Sequence, residues 1–575
     1  MALRSTFAGL NTMYRGVSTN RLSLETTGHN MTNSGVEGYS RQNVNQAAVL
    51  PDTVYANGTR QFVGAGVDSL SITRARDVYA DKQYWREYAD QEYATTRQTN
   101  YQKLEAIFND SDETGLQNAM LRFYQQWVDL SKEASNTSER IAVLEESGIL
   151  VSRVTASGKQ LQEQIISEYD DIKINVGRVN TITDQIVQLN KAIMAAESSG
   201  GSANDLRDQR DNLADELSGY MSISVSENKE NSMYTIVSNG ASIVNGITRL
   251  ELTVGPVYED GRQSGIPNND YGITDYNIEI GDTGVVFDPL SGKLRAEVDA
   301  IREDKDYIDA LADIAAFLLT DFNLQHKAGS GIDASDLEVE AGTKFPTTGI
   351  NFFGEDGYAY IWDETTKSVK MYEQSVDVSY NTTDEQWGIN AVTGSKEVGS
   401  LKSMRIINAL KVNTALSETD GERKIAARSI ELDCSHTWKD VYGTPGSSFV
   451  HPVKDMGGTA DGSNAVLLST LMNQGDSDRL NGAASIGAAS VQDYYNMVMT
   501  SLGVDSSQMN SRVLSQEDIV EQVRQWRTSV SGVNWDEELT NMIMFQQGYS
   551  ACSRCLTTMD EMLDRLINST GVVGR

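Results

Sequence analysis

Two cysteines three residues apart, Cys552 and Cys555, are the first residues whose spacing invites chemistry. A Cys-x-x-Cys pair can cycle between thiols and a disulfide or supply two ligands to zinc, and Cys434-x-His436 could supply two more. The surroundings argue against both. Cys552 falls in a repeating apolar slot where a small side chain packs well, and Cys434 and His436 lie in a distant Gly-, Thr- and Asp-rich stretch. Three cysteines cannot all pair, which also speaks against a disulfide scaffold. The remaining histidines, His29, His326 and His451, lack metalloprotease spacing. Gly255 to Arg262 (GPVYEDGR) imitates a phosphate loop, yet it lacks the lysine and carries two acids that repel phosphate. Carboxylates are so abundant that pairs of them select nothing. No catalytic residue, metal or cofactor is expected.

The more informative spacing is apolar. Near the C-terminus Met542, Tyr549, Leu556 and Leu563 recur every seven residues, and Phe545, Cys552, Met559 and Leu566 follow three residues behind. That is a heptad seam for packing helix on helix. At the N-terminus Leu3, Phe7, Leu10, Tyr14, Val17 and Leu24 follow similar spacing, interrupted at Arg21, with the helix expected to fail at Gly28 before a loop marked by Asn30, Asn33, Gly35 and Gly38. Each helix could simply face its own domain. Placement at the extreme ends, where chains fray unless tied down, favours burial against other copies.

Between the ends, Ile165, Ile172, Val179, Ile186 and Ile193 recur at intervals of seven in a proline-free stretch from about 139 to 197. An unbroken helix there would span about 90 Å, although Gly148, Gly158 and Gly177 could interrupt it. Further helices are expected at 78–108, 114–133, 204–217 and 294–326, and again from about 464. Asn239-Gly240 marks a hairpin turn. Tyr358, Tyr360 and Trp362 alternate as a strand, with Val369 and Met371 on its return.

The 575 residues suffice for about four domains. With 39% hydrophobic residues the chain can bury real cores, and a net charge of −33 sets it against nucleic acid and anionic membrane surfaces. Residues 1–76 hold seven arginines against four acids, whereas 536–575 hold three against six, so the two ends are suited to pair. The longest apolar run, Ile314–Leu319, is far short of the ~20 residues of a spanning helix, and the first residues lack a signal-peptide pattern.

Leu10 through Arg41 reads LNTMYRGVSTNRLSLETTGHNMTNSGVEGYSR, and Val530 through Leu566 reads VSGVNWDEELTNMIMFQQGYSACSRCLTTMDEMLDRL. Both resemble the end motifs of the flagellar rod, hook and hook-associated protein family. Asn30, Asn33, Gly38 and Tyr39 match its Asn-rich loop, and Ser40, Arg41 and Gln42 continue it as in the hook–filament junction members. Leu206 to Val225 (LRDQRDNLADELSGYMSISV) also resembles the junction members, while residues 331–464 match poorly.

The resemblance implies a multidomain α+β protein without catalysis. Its expected parts are a coiled-coil core of terminal helices (1–60 with 535–575), a long-helix bundle with β segments near 221–290 (61–330 with 465–534), and a β-rich inserted outer domain (331–464). It further implies a secreted, extracellular subunit of the bacterial flagellum, self-assembled as a ring in the axial tube. The implied partners are hook protein, a second junction protein, an export chaperone on the C-terminal helix, and the flagellar type III export apparatus. A hook or distal-rod subunit is the near rival; a secreted coiled-coil adhesin or a wall hydrolase on a rod-like scaffold is the distant one.

Overall fold

The computed structural model describes residues 7–56, 59–108, 115–198, 200–228, 231–257, 270–327, 329–332, 350–355, 357–373, 378–381, 386–389, 396–432, 453–456, 458–473, 486–487 and 489–570. Their architecture is mixed α and β, dominated by helices with several small antiparallel sheets. The nine longer helices are α1 (Ala8–Asn33), α2 (Val78–Phe108), α3 (Leu116–Lys132), α4 (Thr137–Glu197), α5 (Asn204–Tyr220), α6 (Lys293–Phe317), α7 (Ser463–Asn473), α8 (Val491–Ser531) and α9 (Trp535–Thr570).

Helix α4 is the spine. Its 61 residues run unbroken for about 90 Å. Asn136 starts it by accepting a hydrogen bond from the Ser138 amide, the usual service of an N-cap asparagine. Ile165, Ile172, Val179, Ile186 and Ile193 are all buried along one face. Each such side chain contributes about 1.5–3 kcal/mol, more than the ~1 kcal/mol that a mid-helix glycine costs, so Gly148 and Gly177 do not break the helix. At Gly158 the missing side chain has a use: a β-carbon there would come within 3.1 Å of Ile407.

Helices α2, α5 and α6 pack on α4, and α8 runs alongside α2. The core continues into an aromatic cluster in which Phe123 and Trp127 of α3 meet Phe322, Phe352 and Phe353, all fully buried. Asn323 fixes the last two by accepting both of their amides at 2.8 Å. The expected helix over 294–326 follows this path with one adjustment. A π turn at Leu318–Phe322 separates α6 from the short helix Asn323–Lys327.

After α1 comes a long ribbon. β1 (Gln42–Ala48) pairs with β4 (Val67–Arg74), and β2 (Asp52–Ala56) with β3 (Thr59–Val63). An expected boundary at residues 60/61 therefore falls inside β3. Strands β5 (Ser224–Glu227), β6 (Tyr234–Ser238), β7 (Ala241–Asn245) and β8 (Thr248–Arg249) form an antiparallel sheet in chain order, with Asn239 and Gly240 both at positive φ in the two-residue turn between β6 and β7. Strands β9 (Leu252–Pro256) and β10 (Tyr276–Ile280) form a separate pair. Later in the chain, β11 (Gly329–Ser330), β12 (Tyr358–Asp363), β13 (Ser368–Glu373), β14 (Val378–Asn381), β15 (Gln386–Ile389), β16 (Glu397–Leu401), β17 (Arg428–Leu432) and β18 (Val453–Met456) make two three-stranded sheets and one hairpin. The alternating aromatics pair as expected, Tyr360 with Met371 and Trp362 with Val369. Much of 331–464 lies outside the described residues, including Cys434, His436 and His451.

Candidate functional site: the paired chain ends

Helices α1 and α9 lie antiparallel against one another. Gly9 faces Met559, Gly16 faces Cys552, and Gly548 faces Asn20; β-carbons on these glycines would lie 3.0, 3.0 and 2.6 Å from the opposing atoms. Further along, Asn30 donates to Glu538 at 3.1 Å. Each step forward on α1 is matched by an equal step back on α9, so one register holds from Gly9 to Asn30. The small residues allow the two backbones to approach closely.

The C-terminal seam, expected to bury against other copies, meets α1 of the same chain at Cys552 and Met559. Met542, Phe545, Cys552, Leu556, Met559 and Leu563 are half-buried, whereas Tyr549 is 39% exposed. On α1 the structure differs from the apolar pattern. Leu10, Val17 and Leu24 are half-buried, but Phe7 and Tyr14 are 57% and 63% exposed. The buried positions of α1 are instead Gly16, Thr19, Ser23, Thr26, Thr27 and Asn30. They face two partners: Gly16 and Asn30 meet α9, whereas Thr19 donates to the Val67 carbonyl and Ser23 accepts from Gln46 of the ribbon, so small and hydrogen-bonding residues fill positions that an apolar pattern does not mark. Leu3 and the side chain of Leu566 lie outside the described residues.

Helix α1 also runs through Gly28 to Asn33, beyond its expected end. Asn30 supplies the reason. Its side-chain NH₂ donates to the Gln42 carbonyl at 2.9 Å, while its Oδ1 accepts from the Gln42 amide at 2.9 Å and from the Tyr39 hydroxyl at 2.8 Å. The loop is thereby folded back onto the helix that precedes it. Asn33 donates to the His29 carbonyl, and the Tyr39 ring meets His29 edge-on. Burial, reinforced by Asp205 and Asp208, pushes the Tyr39 phenol pKa up and keeps it a neutral donor. Gly38 has φ +77°, and a β-carbon there would collide with Asn212; only glycine fits.

The same motif fastens the ends to the body. The Ser40 amide donates to Asp208, and Gln42 Nε2 donates to Asp205 at 2.8 Å. Arg41 forms ion pairs with Glu537 and Glu538 at the start of α9, while its amide donates to the Ser531 carbonyl. Asn534 caps α9 by accepting from the Asp536 and Glu537 amides. The acids that follow suit the positive end of the helix dipole. Loop motif, α5 and α9 thus meet in one joint.

Sequence reasoning missed the ionic cluster beneath that joint. Arg74 bonds Asp208 and Asp211 at 2.7 Å, Arg76 bonds Asp81 at 2.7 Å and Asp211 at 3.0 Å, and Arg527 bonds Asp81 and Asp215 at 2.7 and 2.8 Å. Trp85 donates to Asp215, and Tyr234 donates to Asp211. Burial opposes the charge on Asp211, but Arg76 and Arg74 more than offset it, leaving its pKa lowered. At Asp215 burial outweighs Arg527, and the pKa is raised. A signal existed, since Asp208, Asp211 and Asp215 are spaced three and four apart on one helical face.

Candidates for chemistry are not brought together. Cys552 is half-buried and Cys555 exposed. His326 is held by Ile350 and Ala426, and His29 lies 3.2 Å from Asp205. Among the described residues no group of three or more His, Cys, Asp or Glu side chains could hold a metal. No described helix is long and apolar enough to cross a membrane.

Comparison with known proteins agrees with the architecture. Residues 101–345 match the helical domain of flagellar hook-associated protein FlgK, and residues 525–569 match the C-terminal model of the flagellar basal body rod FlgEFG proteins. Flagellar hook-associated protein 1 of Bacillus subtilis is 26% identical over the whole of both chains. Its Escherichia coli counterpart is 25% identical over 97% of this chain and 99% of its own. Over its whole length the chain is similar to flagellar hook-associated protein 1. A solved structure of the flagellar hook junction protein FlgK from Burkholderia pseudomallei shares the fold, with a TM-score of 0.52 and 17% identity over 78% of this chain and all of that one. The matched relatives are flagellar hook-associated proteins, and the chain is a flagellar axial structural component and not an enzyme.

Proposed function

We propose that this chain joins hook to filament, assembling with copies of itself through its terminal helices. One observation carries the reading. After α1 and α9 have paired, α9 still exposes Leu539, Ile543, Met544, Met562 and Ile567 at 46–68%, and α1 exposes Phe7 and Tyr14. Such a surface on a two-helix pair calls for neighbours. The Asn30–Arg41–Glu538 joint supports a terminal unit held at a set angle to the body.

In this reading the inner unit comprises residues 1–76 with 535–575, extended past residue 60 because β4 completes the ribbon. A helical body and a β-rich outer part follow. The inward seam residues hold α1 to α9, and the outer faces of that pair with the loop from Asn30 to Gln42 are the assembly elements. Its neighbours are further copies, hook protein and a second junction protein, and its route outward is the flagellar export apparatus with a chaperone on α9.

The test is complementation of a strain lacking this gene with Leu539→Asp plus Ile543→Asp, which alter the outer face of α9 and leave its contact with α1 intact. The expected result is exported protein, intact hooks and filament subunits lost to the medium. Normal filaments on such cells would overturn the proposal.

A further inference from the structure

The interior of the helical body carries carboxyls that assembly does not use. Where α2, α4 and α6 meet, Glu168 and Asp304 are 4% and 0% exposed. Two amides tie them together. Asn100 Nδ2 donates to Glu168 at 2.7 Å and reaches Asp304 at 3.4 Å, and Gln164 Nε2 donates to Asp304 at 2.7 Å and reaches Glu168 at 3.4 Å. Two turns along, Glu297, 4% exposed, accepts from Asn175 at 2.5 Å. Among the described residues none of these three carboxyls has an ion-pair partner. One oxygen each of Glu168 and Glu297 is buried without a hydrogen-bond partner.

The surrounding charges are engaged elsewhere or stand off. On α2, Arg97 pairs with Glu303 and acts through space on Glu168 and Asp304, as Lys103 does on Glu168. Asp171 of α4 and Lys293 of α6 act on Glu297 with opposite signs. Asp505 of α8 lies beyond Tyr101 and Tyr307. A buried carboxylate needs a close counter-charge or a full set of donors, and here Arg97, Lys103 and Lys293 act only through space while burial outweighs them. A carboxylic acid fits the site, because its own proton removes the charge.

We propose that Glu168, Asp304 and Glu297 form a proton-dependent latch: the α2–α4–α6 body is closed while these carboxyls are neutral and loosens when they ionise. Burial is the leading cause at each group. It pushes Glu168 up to about 7 and Glu297 up to about 8, and holds Asp304 well above the usual range. The sign follows. These groups bind protons more tightly folded than unfolded, so their contribution is full below about pH 4 and is lost as pH rises through 7 to 8. The latch acts on the body and not on the paired ends, so it stands or falls separately from the assembly reading.

The test is urea unfolding of the full chain at pH 5.5 and pH 8.5, comparing wild type with Glu168→Gln/Asp304→Asn and with Glu297→Gln. General repulsion among surface acids is common to all three proteins and cancels. Each proton retained over one pH unit is worth about tenfold in the folding equilibrium. The wild-type unfolding constant should therefore rise at least about tenfold more than that of the double variant. Infrared spectra of native wild type at pH 6.5 should show a protonated-carboxyl band that weakens in each variant that folds. Should the double variant fail to fold, Glu297→Gln and the wild-type spectrum decide. Equal pH dependence in wild type and variants, absence of the band, or stabilisation by added magnesium in place of protons would overturn the latch.

Discussion

Gly16 faces the Cys552 sulfur so closely that a β-carbon at Gly16 would stand 3.0 Å from it. Gly9 repeats the relationship with Met559 one heptad away. The pairing of the chain ends therefore depends on side chains that are absent as much as on the apolar ones present. Gly16→Val should force the helices apart at an overpacking cost of about 1–3 kcal/mol. Limited trypsin digestion should release the termini faster while the body resists as before, and Cys552→Ala in the same chain should recover part of the loss. Unchanged cleavage would mean that the contact contributes nothing to holding the ends.

Asn30 serves as donor and acceptor at once, which neither alanine nor aspartate can copy. Asn30→Ala leaves the Gln42 backbone unpaired and should cost about 1–3 kcal/mol. Asn30→Asp retains the acceptor but sets a carboxylate against Glu538 and the Gln42 carbonyl. Its defect should be larger at pH 7 than at pH 4, where protonation restores a donor. Hydrogen exchange along α1 reads both effects, and equal protection in the two variants at pH 7 would contradict this account.

How much of this was legible beforehand depends on whether a contact leaves a periodic trace. The α4 spine and the β12–β13 hairpin were readable, since burial of one face repeats every seven or every two residues. On α9 the spacing of seven between Cys552 and Met559, which meet Gly16 and Gly9, was visible for the same reason. Its partner on α1 was not, because Gly9, Gly16, Asn20 and Asn30, which meet α9, carry no apolar signature. Extension of α1 past Gly28 depends on Asn30 reaching Gln42 and Glu538, the latter far away in the chain. The ionic cluster likewise draws on a ribbon, two long helices and α5, and only its aspartate face is visible in one segment.

That cluster yields a prediction with a large expected effect. Arg527 neutralises Asp81 and Asp215 together. Arg527→Met would leave both carboxylates buried with less compensation, at a cost of about 3–5 kcal/mol. Adding Asp215→Asn should return part of the loss by removing one stranded charge. Urea melts of the two proteins measure this, and a double variant no more stable than the single one would show that Arg527 acts through packing alone.

His326 sets the behaviour in acid. Its Nε2 accepts from the Ala426 amide at 3.0 Å, and its Nδ1 lies 3.1 Å from the Ile350 carbonyl, to which it donates. Only the neutral ring can do both, since an imidazolium has no lone pair for Ala426. Complete burial is the main force lowering its pKa to about 4. The unfolded chain takes up this proton near pH 6.5, so the group's contribution is present above that value and is lost as pH falls toward 4. Ile350 directly precedes Asn351 and the Phe352–Phe353 pair, and Phe352 lies against the His326 ring at 5.2 Å. Protonation should therefore loosen the aromatic cluster before the paired ends respond. Between pH 6.5 and 4.5, stability should fall more in wild type than in His326→Gln, and hydrogen exchange should quicken first at Phe352, Phe353 and Ala426. Parallel pH profiles for the two proteins would remove His326 from the account of acid sensitivity.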